Sequence, residues 1–191
     1  CVVVTQGGLA PVGAVLAARE ADNWRGSLAV AGLVLTSPPT WQDMAVAVPA
    51  AEVDRNYAVL RTPLGSASVG ILENRAAIRF FSNLFLFEEE ADQRWLDEAC
   101  GGCSAAACPP VIAFNAGLLS AREYTAELCN TKTPTLVLSG TADKREADRR
   151  LYGTQMRSCR LVTLPGCNVL PWESARETCD AVRTFSTGLA D

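Results

Sequence analysis

Four short apolar runs constrain this chain more than anything else in it: VVV at 2–4, AVAGLVLTS at 29–37, TPTLVLSG at 133–140 and RLVTLPG at 160–166. None alternates cleanly between apolar and polar residues, and each runs into turn residues. That pattern belongs to parallel strands covered on both faces, because a half-solvated strand shows a polar residue at every second position. Helical patterns lie between the runs. GLAPVGAVLAARE predicts a helix with Leu9, Val12, Val15 and Leu16 on one face, Pro11 being tolerated in its first turn. Ser174 and Glu177 predict a capping box for a last helix carrying Cys179, Val182 and Phe185, and Asp143 with Glu146 predict the same for the helix before it. Strands alternating with helices give an α/β architecture on a parallel sheet.

Segment 38–132 is too long for an ordinary crossover between two such strands. Its clearest pieces, AAEVDRNYAVL, ASVGILENRAAIRFFSNLFLF and EEEADQRWLDEAC, are helical in pattern. The expected organisation is therefore a sheet core from residues 1–40 and 130–191, with a helical cap or lid inserted at 41–129. A chain of 191 residues with 49% apolar content can bury such a core. Its net charge of -4 carries no basic footprint for nucleic acid, and no apolar run approaches the roughly 20 residues that span a bilayer. The first residue is Cys1 and no signal or transit peptide is visible, so the expectation is a processed or partial product. Eight Cys are too few for a disulfide scaffold, and most sit singly among apolar residues, which favours a reducing compartment.

These elements in this order resemble the C-terminal half of an α/β-hydrolase: elbow strand, its helix, a strand ending in SPPTW, a helical cap, the acid-bearing strand and the loop of the catalytic His. More narrowly, GLVLTSPPTW, AIRFFSNLFLF and LPGCNVLPWES are similar to plastid-associated α/β-hydrolase-like proteins of plants and algae. The resemblance covers nearly the whole chain. It implies a partial α/β-hydrolase fold, a parallel sheet with a helical cap insertion, and a plastid address. It also implies further strands ahead of the elbow strand, without which strand 2–4 is an open edge.

Hydrolase chemistry on this fold needs a nucleophile at the elbow, an acid, and a His that takes the nucleophile's proton. If Gly7-Gly8 is the small pair of the elbow, the nucleophile position is Thr5, and Val3 stands where the pattern has Gly. Asp143 in SGTADKR is at the acid position. In LPGCNVLPWES the His position holds Val169, or Asn168 if the alignment shifts by one, and neither is a base near neutral pH. The chain has no His to recruit. Losing the base costs on the order of 10⁶ in rate in the subtilisin case. The triad positions Thr5, Asp143 and Val169 thus read as degenerate. Cys167 on the same loop has no cation beside it in sequence to hold a thiolate.

Two other stretches carry candidate sites. CGGCSAAAC at 100–108 has the spacing of a redox pair, Cys100 with Cys103, but offers no fourth ligand for a structural zinc. A flexible cap loop is the plainer account of it. FFSNLFLF at 80–87 gathers Phe80, Phe81, Phe85 and Phe87, either as the cap's own core or as a ligand or partner surface. No phosphate-binding glycine loop, metal site or cofactor motif is present. The expected function is binding: a non-catalytic subunit or scaffold of a larger plastid assembly, such as a photosynthetic one, whose partner protein covers the edge of strand 2–4. The alternatives are an ester or thioester hydrolase completed by another segment or partner, and a protein that holds a small apolar ligand such as a lipid or pigment.

Overall fold

All four apolar runs form strands: β1 (Val2–Gln6), β2 (Gly32–Thr36), β3 (Thr135–Gly140) and β4 (Cys159–Leu164). They lie in one sheet in chain order, β1-β2-β3-β4, and every pairing is parallel, with Val4 opposite Val34 and Leu136 opposite Arg160. The computed structural model describes residues 1–19, 30–101 and 109–189, with side chains described at all of these but 66, 68–70 and 72. Residue 29 of the second run lies outside the described residues.

Strand alternation splits the core into two layers. Leu33, Leu35 and Val137 face Ala10, Ala14, Tyr124, Leu128, Tyr152 and Met156. These come from α1 (Ala10–Ala18), α8 (Thr125–Asn130), α10 (Leu151–Gln155) and their margins. On the other face Val34, Leu136 and Leu138 meet Leu170, Val182 and Phe185, from α11 (Leu170–Glu173) and α12 (Ala175–Thr187). β2 and β3 are buried along their whole length, their Leu and Val runs flanked by small polar residues, Thr36, Thr135 and Ser139.

The buried face of α1 is not the one its large side chains suggest. Ala10, Pro11, Gly13, Ala14 and Ala17 are buried; of the expected face, Leu9 and Val12 are exposed, Leu16 is half-buried, and Val15 packs partly buried against the core. A Cβ at Gly13 would stand 2.8 Å from Thr5 Cγ2 and 3.1 Å from Leu33 Cδ1. The helix therefore lies so close to the sheet that only small residues fit beneath it. Neither expected capping box forms. The Ser174 hydroxyl donates to the carbonyl of Pro165 at 2.5 Å and makes no cap bond to α12. Asp143 stands outside α9 (Glu146–Arg149), whose N-cap is Arg145. A capping box does form at Thr40 and Asp43, opening α2 (Trp41–Ala45).

The chain divides into two compact units, Cys1–Val46 with Glu123–Asp191, and Ala47–Arg122. The short helices α2 and α8 belong to the first, which also holds the sheet. The second contains α3 (Ala50–Leu60), α4 (Pro63–Leu72), α5 (Arg75–Phe85), α6 (Gln93–Gly101) and α7 (Pro109–Asn115). Within it, α5 and α6 are joined by the Arg75–Asp97 ion pair at 2.6 Å and by the Trp95 indole N–H donating to Ser82 Oγ at 2.9 Å. Among the described residues no helix is long and apolar enough to cross a membrane.

Candidate functional site

The carboxyl ends of the strands gather the polar residues of interest. β1 ends at Gln6 and passes into a single 3-10 turn at Gly7–Leu9 before α1. Gly7 carries a positive φ of 54°, a conformation that glycine adopts without the Cβ penalty of other residues. The sharp turn of an elbow is thus present, and it falls at Gly7 rather than at Thr5. Thr5 lies within the strand, paired with Leu35, and its side chain packs beneath Gly13 of α1.

Asp143 follows β3 and is almost fully buried. Its Oδ2 accepts from Arg149 Nη1 at 2.5 Å, and its Oδ1 accepts from the amide of Arg145 at 2.9 Å. Arg149 is itself buried, and its Nε donates to the carbonyl of Pro38 at 2.5 Å. Burying either charge alone would be costly, so each holds the other in place. Asn168 Nδ2 approaches the same Asp143 oxygen at 3.4 Å, at the outer limit for a hydrogen bond. The amide nitrogen must face it, since a carboxylate only accepts. From the opposite side Gln6 Nε2 donates to the Asn168 carbonyl at 2.9 Å. A polar chain Gln6–Asn168–Asp143–Arg149 therefore crosses the carboxyl edge of the sheet.

The structure brings Asn168 to the carboxylate. Val169 is the N-cap residue of α11. The loop bearing Asn168 is held tightly against β3: a Cβ at Gly140 would lie 2.0 Å from the Cys167 carbonyl oxygen. The Cys167 amide donates to Glu173 Oε2 at 2.8 Å, which fixes the loop further. Beside Gly7, at the end of β2, Ser37 is the one non-glycine residue with positive φ among those described, at 42°. Its hydroxyl is buried without a partner, as is Gln6 Oε1. Arg149, Gln6 and Ser37 escaped sequence reasoning. Only the strand-end positions of Gln6 and Ser37 mark them in sequence, and nothing there marks Arg149.

Of the aromatic cluster, Phe80, Phe81 and Phe85 are exposed on α5, with ring centroids 5.3 Å and 6.3 Å apart along the series. Phe87 departs from the expected surface set. It is buried and packs edge-on against Trp95 at 5.1 Å, because the chain has left the helix there and turns inward. Cys100 is half-buried near the end of α6, while its expected partner Cys103 lies outside the described residues. Cys159 is half-buried in β4, and burial pushes its thiol up to about 11. Among the described residues no group of His, Cys, Asp and Glu could hold a metal ion.

No family model matches the chain, and no curated protein matches it. Solved structures do resemble it. A membrane phospholipase A described as a bacterial virulence factor superposes with a TM-score of 0.62 at 18% identity, covering 100% of this chain and 57% of that one. The enol-lactonase from Burkholderia xenovorans gives 0.63 at 20% identity, covering 98% and 65%. The proline iminopeptidase from Mycobacterium smegmatis gives 0.61 at 15% identity, covering 99% and 66%. The fold is a partial α/β-hydrolase fold, and the chain spans between 57% and 66% of the length of these three structures.

Proposed function

We propose that this chain is a non-catalytic α/β-hydrolase-fold protein that acts by binding. The observation that carries this reading is the occupancy of the carboxyl edge. Glycine stands at the elbow turn, and an amide stands where the imidazole would meet the acid. The acid, Asp143, is held by a buried guanidinium. A glycine has no group to attack an acyl carbon, and an amide cannot take a proton from a hydroxyl. Asp143 then serves as the anchor of the loop and of Arg149.

The partner surface in this reading is β1, the sheet edge, where Val4 is 54% exposed and, among the described residues, no strand lies beside the outer backbone groups. The occupant is a parallel strand of a partner protein, with Phe80, Phe81 and Phe85 as a further contact. Assembly in a plastid complex rests on the similarity of GLVLTSPPTW, AIRFFSNLFLF and LPGCNVLPWES to plastid-associated proteins. A second reading, an ester or thioester hydrolase completed by other residues, is favoured by the named activities of the similar structures and by their greater length. Fold alone does not carry activity.

The test is native isolation followed by a fluorophosphonate probe, an iodoacetamide-type probe and p-nitrophenyl esters. The expected result is co-migrating protein partners, no fluorophosphonate label on this chain and no ester turnover. Stoichiometric fluorophosphonate labelling of this chain, or ester turnover that follows it through purification, overturns the non-catalytic reading and establishes the second.

A further inference from the structure

At the amino ends of β3 and β4, remote from the carboxyl edge, the end of α12 and the loop into β4 border an open cleft of about 440 Å³. Its apolar wall is Phe185 with Leu189. Both reach the sheet because β2 begins with glycine: a Cβ at Gly32 would stand 2.9 Å from the Phe185 ring and 2.5 Å from Leu189 Cδ1. Its polar wall is Arg157, Ser158, Arg160 and Thr184. Arg160 stands on the α12 face of β4, in alternation with Val162 and Leu164.

The charge of this cleft runs against that of the molecule. The chain carries a net charge of -4, yet among the described residues no Asp or Glu lines the cleft. Neither the Arg157 nor the Arg160 guanidinium takes part in an ion pair among the described residues. Near the end of α12 the Thr184 and Ser186 carbonyls accept from the Gly188 and Leu189 amides. A guanidinium presents a planar fork that matches a carboxylate or phosphate, and two of them suit a dianion. An apolar wall beside a few convergent polar groups is the usual make-up of a small-molecule site.

We infer that this cleft binds a phosphate monoester with an apolar body. The phosphate lies on Arg157 and Arg160, assisted by the Ser158 and Thr184 hydroxyls, and the body lies on Phe185 and Leu189. The inference concerns the opposite end of the sheet from Gly7 and Asn168, and it stands whether or not the carboxyl edge is catalytic.

The experiment is an amide-detected NMR titration of the full chain with phenyl phosphate, inorganic phosphate and benzyl alcohol. The expected result is saturable shifts at Thr135, Arg160 and Phe185, tightest for phenyl phosphate and weakening as salt rises. The double variant Arg157→Gln, Arg160→Gln replaces exposed side chains, so it retains the native spectrum, and it binds phenyl phosphate at least tenfold more weakly. Co-sedimentation with phosphatidate vesicles identifies the source. Sedimentation abolished by the double variant assigns a lipid headgroup, and phenyl phosphate binding without sedimentation assigns a soluble ester. Absence of saturable shifts in the cleft, or equal binding by the double variant, overturns the inference.

Discussion

At the scale of single residues, the Asn168–Asp143 contact makes a prediction the sequence itself renders clean. The chain has no His, so Asn168→His introduces its only imidazole. Set against the Asp143 carboxylate, that imidazole titrates above its ordinary value of about 6.5, whereas Val169→His stays near it. The added stability is present at low pH and is lost as pH rises through the raised value. Two-dimensional NMR of the imidazole protons reads both variants, and equal values for the two refute the assignment of position. Removing Arg149 leaves Asp143 buried and unpaired, so Arg149→Met costs roughly 3–5 kcal/mol, measured by urea unfolding. Cys159 gives a pH effect of the opposite kind to a depressed carboxylate. Its folded thiol holds its proton from the ordinary value near 9 up to about 11, so the folded state binds more protons across that window. Stability therefore falls as pH rises from 9 to 11, and Cys159→Ala flattens the slope between 9 and 10, above which the buried Tyr152 hydroxyl, also pushed up from 10, adds a slope of the same sign.

Elements show where sequence reading succeeds and where it stops. The central strands β2 and β3 were legible because burial on both faces leaves them no charged residue, whereas β1 and β4, partly exposed, carry Gln6 and Arg160; helix α3 coincides with the run AAEVDRNYAVL. The buried face of α1 was not legible, because hydrophobicity ranks Val12 and Leu9 above Ala10 and Gly13. What decides the face is the distance at which a helix can approach a strand, and that is set by the smallest side chains. Gly13→Ala accordingly costs about 1–3 kcal/mol by overpacking against Thr5 and Leu33, while Val12→Ala is nearly neutral. Thermal unfolding of the two variants checks the difference. Asn168 was half legible: the sequence offered it beside Val169, and only the fold of the 166–168 loop over Gly140 decides which side chain reaches the acid. Arg149 was not legible at all, since its pairing with Asp143 depends on a turn and a short helix whose geometry no spacing rule supplies.

For the whole molecule, burial ranks the strands by stability. Hydrogen exchange is expected to be slowest in Leu33–Leu35 and Leu136–Leu138 and faster in β1, which pairs on one side only. Equal protection in β1 would mean that its outer edge is covered in solution. The order of the strands carries a consequence of its own. Each of the three crossovers steps one place in the same direction, and their helices α1, α8 and α10 all pack on one face. Open parallel sheets bind ligands in the crevice at the switch point, where the direction of winding reverses and loops part to opposite sides. This sheet has no reversal within it. A strand laid along β1 with its crossover on the α12 face would create one, directly above Gly7 and the Gln6–Asn168 bond. A polypeptide that supplied that strand would also supply the other bank of the crevice, and a ligand bound there would be shared between the two rather than held by either.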